Sequence, residues 1–300
     1  MSMAHKSVLL QEVIESLEPE AGGVFVDATF GGGGHSRALA ELIGEKGHLI
    51  AFDQDASVFP EVSIREFERL TNFTPVVANF RNIGEKLNRL KVAVVNGAVF
   101  DLGLSSVQLE KSGRGFSFQR DEPLRMTFKE KPEKSDVTAE TILNNWSEEN
   151  IAAILLGFGE ERFHRSIAKK IVTTRKAGPL KRTGQLVEVI RQATPIRYQH
   201  GRTHFATRTF QALRMAVNDE LGAIEEGILG IIPFLKSSGR VAVITFHSVE
   251  DRLVKRLFRT LDKEEHTLSP VTKKPIIPSV SEVKRNPRAR SAKLRVVEKL

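Results

Sequence analysis

The sequence predicts an α/β protein whose alternation of strands and helices is interrupted near the middle by a helical, basic insertion. Three observations carry this. Short apolar runs recur through the first hundred residues with helix-length segments between them, the same alternation resumes near residue 240, and Lys and Arg crowd the stretch between.

Taken in order, SVLLQEVIESL (7–17) sets Leu10, Val13, Ile14 and Leu17 at i, i+3, i+4 and i+7, one face of a helix. GVFVDAT (23–29), GHLIAFD (47–53), TPVVANF (74–80) and VNGAVFD (95–101) are predicted strands. Strands separated by helices pair in parallel through right-handed crossovers. From about 107 to 205 no core strand is predicted, and Phe163, Ile167 and Ile171 mark a helix face with Lys169, Lys170 and Arg175 turned elsewhere. One long helix is expected from Thr207, carrying Phe210, Leu213, Val217, Leu221, Ile224 and Ile228. RVAVITF (240–246) is the next strand, followed by an amphipathic helix with Leu253, Val254, Leu257, Phe258 and Leu261. The stretch with Pro270, Pro275, Pro278 and Pro287 reads as an extended connection ending in an edge strand, LRVVEK (294–299). Residues 1–106 and 206–300 are thus expected to form one α/β domain, and 107–205 a helical domain of its own.

Composition narrows the chemistry. The 300 residues, 40% hydrophobic and 27% charged, suffice for a sizeable core. No apolar run reaches the roughly 18 residues of a membrane span, and MSMAHKSVLLQEV is too polar for a secretory signal, so a cytoplasmic protein without a membrane partner is expected. The absence of cysteine excludes disulfides, thiolate metal sites and a cysteine nucleophile. The net charge of +8 is unevenly spread: residues 111–212 hold 19 Lys and Arg against 11 Asp and Glu, residues 271–300 hold 9 against 2, and the remainder is acidic. Two basic blocks beside an acidic remainder suit a polyanionic partner, although a charge run also serves as a solvated face.

The first predicted strand ends in Asp27 and leads into TFGGGGHS (29–36). Glycines here permit a tight turn and bring a ligand against bare main chain. A dinucleotide fingerprint would place its third glycine where Ser36 or Arg37 stands, which disfavours a pyrophosphate ligand and with it a nucleotide-dependent oxidoreductase. Asp53 follows Gly31 by 22 residues, the placing of a carboxylate that takes ribose hydroxyls, although a strand-end acid alone equally caps a helix. Glycine loop and acid together point to an adenosine-containing ligand. Asp27, Asp53, Phe80 and Asp101 are expected to converge outside the carboxyl ends of the strands, with Phe80 readable as core or as a base neighbour.

TFGGGGHS, AFDQD, ANFRNI, DLGLSS, GRGFSFQ, NNWSEE, FGEERF, ATRTFQALRMAVNDEL, TFHSVED and NPRARSAKLR follow one another along nearly the whole chain. In these motifs and their order the chain resembles the bacterial S-adenosylmethionine-dependent 16S ribosomal RNA cytosine-N4 methyltransferases, the MraW family. The resemblance implies a class I, Rossmann-like methyltransferase fold with an inserted helical domain that recognises substrate. It also implies S-adenosyl-L-methionine as cofactor and a cytosine N4 in the decoding region of 16S ribosomal RNA, within the small ribosomal subunit, as acceptor. Residue by residue it implies Gly33, Gly34 and His35 at the methionine part, Asp53 at the ribose, Phe80 near the adenine, and Asp101 and Gln108 as further contacts. His35 has no partner at metal-ligand spacing, and no metal is expected.

Asp101, or the backbone carbonyls just after it, is expected to hold the cytosine amine in line, in competition with its role toward the cofactor. His247 stands at the carboxyl end of a strand, where it touches the target base or its phosphate, or else caps the next helix. After RGFSFQ the chain departs from the family's usual D-G-P-L-D-M-R-M-D and reads DEPLRMTFKE (121–130), with Arg125 for an acid and Thr127 for an arginine. In NPRARSAKLR an extended chain would set Arg288 and Arg290 on one side, either gripping phosphate or pairing with acids. The competing function is a non-catalytic RNA-binding or ribosome-assembly factor that retains the cofactor pocket.

Overall fold

The computed structural model describes residues 7–104, 112–129, 132–133 and 135–300. The chain forms two compact units, Met1–Gly103 with Leu221–Leu300, and Leu104–Glu220.

The first unit contains α1 (Leu10–Leu17), β1 (Val24–Asp27), α2 (Gly34–Ile43), β2 (His48–Asp53), α3 (Glu61–Glu68), β3 (Asn72–Val77), α4 (Ile83–Arg89) and β4 (Val95–Asp101). The strands stand in the order β3-β2-β1-β4, all parallel, as the alternation requires. Successive strand residues bury opposite faces. Val26, Ile50, Phe52, Ala98 and Phe100 belong to one core, and Phe25, Leu49, Ala51 and Val99 to the other. Burial on both faces explains why β1, β2 and β4 read as continuous apolar runs rather than as alternating ones.

The second unit is helical, with α5 (Ala139–Asn145), α6 (Glu148–Gly157), α7 (His164–Thr174), α8 (Thr183–Ala193), α9 (Ile196–Gln199) and α10 (Thr207–Asn218). Thr138 and Ser147 cap α5 and α6, accepting from the N–H of Thr141 and Asn150. Its own core includes Leu124, Ile142, Leu155, Ile167, Ile190 and Leu213. Lys169 is exposed, but Arg175 is half-buried and donates to the carbonyls of Leu143 (2.9 Å) and Trp146 (2.7 Å), closing the end of α5.

The first unit resumes with α11 (Glu220–Ile231), β5 (Leu235–Thr245), α12 (Ser248–Lys263), β6 (Leu268–Pro270), α13 (Val280–Arg285) and β7 (Lys293–Lys299). The full sheet runs β3-β2-β1-β4-β5-β7-β6, and β7 alone runs opposite to the other strands. A mainly parallel sheet of this order agrees with the Rossmann-like fold that the resemblance implies.

Four expectations differ from the structure. The single helix from Thr207 to Ile228 is two, broken at Asp219, whose φ of 46° ends α10 in the left-handed region. Its apolar rhythm persists across the break because Phe210 and Leu213 serve the helical core whereas Ile224 and Ile228 serve the sheet. The terminal strand is not an edge: the three residues of β6 cover it. Residues 287–291 form a 3₁₀ turn rather than an extended chain, so Arg288 and Arg290, both exposed, do not alternate onto one side. The helical unit also runs to Glu220 and includes α10, which the sequence reading assigned to the α/β part.

Candidate cofactor and acceptor site

The turn from β1 into α2 is built around a carboxylate that the protein keeps for itself. Asp27, 1% exposed, accepts from the Thr29 N–H (3.0 Å) and the Ser36 hydroxyl (2.7 Å), joining the strand end to the first turn of α2. Burial pushes its carboxyl up, against the opposing pull of His35 and these hydrogen bonds. Between the two anchors Gly31 and Gly33 have φ of 50° and 72°, the left-handed conformation in which a Cβ is strained. No side chain caps α2 at Gly33, so the main-chain N–H groups at its start remain donors for an anionic group.

Asp53 closes the turn from the next strand. One of its oxygens accepts from the Gly31 N–H (3.0 Å) and the other from the Asp55 N–H (2.9 Å). Each oxygen keeps a further lone pair for a hydroxyl. Burial pushes the carboxyl up to about 6, with the two N–H bonds opposing. Asp101, at the end of β4, is brought to the same turn by its own N–H, which donates to the Thr29 hydroxyl at 2.7 Å. Its carboxyl is also pushed up to about 6, by burial first, with His35 drawing it down and Asp27 and Glu250 pushing it further up.

His35 is 4% exposed. Its Nε2 lies 3.0 Å from the Val8 carbonyl and its Nδ1 3.6 Å from Asp101 Oδ2. Phe80 lies in a 3₁₀ turn beyond β3, half-buried, with its ring edge-on to Phe100 at 5.8 Å. A Cβ on Gly227 of α11 would stand 2.7 Å from that ring, so the glycine makes room for Phe80. The packing matches the core reading of Phe80 and leaves its remaining exposed part for a ligand. Gln108 lies outside the described residues.

His247 caps α12. Its Nδ1 accepts from the Glu250 N–H at 3.3 Å, while Glu250 Oε2 accepts from the N–H groups of Phe246 (2.8 Å) and His247 (3.3 Å). Glu250, 1% exposed and electrostatically coupled to Asp101, is the site neighbour that sequence reasoning missed. The H-S-V-E spacing of a capping box is the signal that could have found it. Thr29 and the Val8 carbonyl were missed too, the latter because a main-chain group leaves no trace in side-chain identity.

Elsewhere in the motifs, structural use dominates. The terminal Lys293 and Arg295 donate to Asp251 (2.8 Å each), whereas Arg288 and Arg290 are exposed. In the departing segment Arg125 is exposed and Thr127 is 5% exposed, and the stretch is held by Asn218, which bonds the Met126 carbonyl and the Phe128 N–H (2.8 Å each). In FGEERF, Glu161 is fully buried, accepting from Phe163 N–H (2.9 Å) and the Tyr198 hydroxyl (2.7 Å). Among the described residues no helix is long and apolar enough to cross a membrane, and no group of three His, Cys, Asp or Glu side chains is placed to hold a metal.

The residues of the turn suit S-adenosylmethionine. Asp53 and Asp101 offer acceptors of the kind that ribose hydroxyls and cationic groups require, and the N–H groups at the start of α2 are donors of the kind a carboxylate requires. The model of the MraW methylase family matches residues 2–300. The chain is 42% identical over 314 aligned positions to the ribosomal RNA small subunit methyltransferase H of Brevibacillus brevis, covering 100% of this chain and 99% of that one. Among solved structures, an rRNA methylase from Streptococcus thermophilus is 13% identical with 98% of each chain covered and a TM-score of 0.43. A protein from Clostridium thermocellum is 12% identical, covering 99% and 100%, with a TM-score of 0.47. At such scores the structural likeness carries no argument about the site, and kinship rests on the sequence: the chain belongs to the MraW methylase family.

Proposed function

We propose that this protein transfers a methyl group from S-adenosylmethionine to the exocyclic N4 of a cytosine in the decoding region of 16S ribosomal RNA, within the small ribosomal subunit. The observation that carries the reading is the convergence of two strand-end carboxylates on one glycine turn, Asp53 through Gly31 and Asp101 through Thr29. Family membership and the small-subunit activity named for the Brevibacillus relative support the substrate class.

S-adenosylmethionine supplies a methyl group already made electrophilic by a cationic sulfur, so the chain need form no covalent intermediate. Its share is positioning. The N–H groups at Gly34 and His35, with Gly33 making the turn, take the carboxylate of the methionine part, and Asp53 takes the ribose hydroxyls. Asp101 accepts a hydrogen bond from the cytosine amine, whose lone pair is otherwise delocalised into the ring, and aims it at the methyl group. His247 holds the turn between β5 and α12 beside this pair through its bonds with Glu250. The target base must be unstacked, at a cost smaller in a loop than in a duplex. The basic helical unit and the exposed Arg288 and Arg290 supply phosphate contacts.

Incubation with methyl-labelled S-adenosylmethionine and either naked 16S RNA or small subunits, followed by nucleoside analysis, tests the reading. N4-methylcytidine is the expected product. RNA retention without cofactor binding in a calorimetric titration would instead establish the non-catalytic assembly factor. Asp101→Ala that turns over like the wild type would remove that carboxylate from the chemistry.

A further inference from the structure

The side chain of His35 is turned away from the open main chain of the glycine turn and toward two groups of the protein. A carbonyl only accepts, so the 3.0 Å contact with Val8 requires that Nε2 carry a proton. That bond fixes the ring and turns Nδ1 toward Asp101 Oδ2, at 3.6 Å an ion-pair distance rather than a hydrogen bond. Val8 is itself held. Leu9, the next residue, donates its N–H to Glu282 Oε1 at 2.8 Å, and a Cβ on Gly34 would stand 1.9 Å from the Ser7 hydroxyl oxygen, so the strap of residues 7–9 lies directly on the start of α2. Asp101 is fixed on its other side by its N–H bond to Thr29.

We propose that His35 is a positioning residue, its imidazole locked by the Val8 carbonyl so that Nδ1 faces the Asp101 carboxyl and holds it in place. The inference rests on the reading that Asp101 receives the cytosine amine. With Nε2 committed to the Val8 carbonyl, Nδ1 is the ring nitrogen left to face Asp101. The charged groups that bear on Asp101 are His35 from α2, Asp27 from β1 and Glu250 from α12. Of these only His35 favours the ionised form, which is the form that accepts the amine hydrogen bond. Loss of the imidazole therefore leaves Asp101 among acids, protonated to higher pH.

Two isosteres separate positioning from structural support. In His35→Asn the amide nitrogen falls near the Nδ1 position, facing Asp101 but no longer reaching Val8. In His35→Gln it falls near Nε2, keeping Val8 satisfied but leaving Asp101 alone. His35→Gln is expected to keep the wild-type thermal midpoint and to bind S-adenosylhomocysteine within about 3-fold. Its turnover should fall roughly 10-fold or more, with the acid limb of the pH profile displaced upward by about half a unit or more. His35→Asn should show the reverse, a lowered midpoint with the acid limb of its pH profile where the wild type has it. The Asp101 carboxyl is followed independently by carbon NMR of aspartate-labelled protein, assigned with Asp101→Asn and needing no RNA. An Asp101 titration unmoved in His35→Gln overturns the proposal whether or not the wild type methylates small-subunit RNA. Equal loss of S-adenosylhomocysteine affinity in both variants overturns it also, by showing that the ring serves the ligand.

Discussion

Asp53 is held from two sides by main-chain N–H groups and still titrates near 6, because burial outweighs those bonds. Asp53→Ala removes an acceptor for ribose hydroxyls and should weaken S-adenosylhomocysteine binding by about 1.5 to 3 kcal/mol, with RNA affinity unchanged. Calorimetry against both ligands checks this, and a parallel loss toward RNA would place the ribose elsewhere. Its folded carboxyl titrates above the ordinary value, so the native state keeps its proton longer than the unfolded chain. The resulting stability is complete below about pH 4 and is lost as pH rises through 6. Asp53→Asn should accordingly gain thermal midpoint relative to wild type on going from pH 4.5 to 7.5. Asp251 has the opposite sign. Burial raises its carboxyl, but hydrogen bonds from Arg295 and Lys293 win and hold it below the ordinary range. Arg295→Ala should cost about 2 kcal/mol near neutral pH, less than for a fully broken pair because Lys293 remains, and the deficit should shrink as acid protonates Asp251. An unaltered midpoint at pH 7 together with a reduced salt slope for RNA binding would mean instead that Arg295 grips phosphate.

At the scale of elements, the break at Asp219 depends on what the end of α10 has to do. Asn218 donates to the Met126 carbonyl and accepts from the Phe128 N–H, giving main-chain groups the partners that secondary structure does not provide there. Arg214 Nε and one terminal nitrogen bond both carboxylate oxygens of Glu220 at 2.6 and 2.7 Å, spanning the break. An uninterrupted helix would carry Glu220 away from Arg214, six residues before it. Asn218→Ala should destabilise by about 1 to 3 kcal/mol by leaving both main-chain groups unpaired, as read by chemical denaturation. Asn218→Asp should do comparable harm, since it can accept from Phe128 but cannot donate to Met126. A variant as stable as wild type would show that the segment finds other partners and that the departure at Arg125 and Thr127 is unrelated to its anchoring.

For the whole molecule, the two hydrophobic cores set where the chain can be cut. Phe210, Ala212 and Leu213 of α10 are buried in the helical core, so removing residues 111–205 leaves them stranded, whereas removing 104–220 takes the core entire. The second deletion, closed with a short glycine-rich linker, should give a monodisperse protein that melts cooperatively and retains S-adenosylhomocysteine. The first should aggregate through exposed apolar surface. Size-exclusion chromatography and thermal melts decide between them, and equal behaviour of the two would refute the boundary at Glu220.

The sequence by itself determined the parallel α/β half, because β1, β2 and β4, buried on both faces, must be apolar throughout, and the strands must be joined by helices long enough to cross over. It also marked the place of the candidate site, since a glycine-rich turn after a strand leads into a helix whose first main-chain donors lack a side-chain cap. It marked Asp53 and Asp101 as strand-end acids but not their bonds to Gly31 and Thr29, which join residues far apart in the chain. Tertiary structure alone decided the rest. A periodicity of 3.6 runs on through Asp219 because it records burial and is blind to which core does the burying. His247 read as capping or touching substrate, and Glu250 closes the capping box; NPRARSAKLR read as gripping phosphate or pairing with acids, and Asp251 takes Lys293 and Arg295. His35 shows the limit most sharply: its partners are a carbonyl at Val8 and a carboxylate at Asp101, brought together only when α1, α2 and β4 pack, and no local pattern in the chain encodes that meeting.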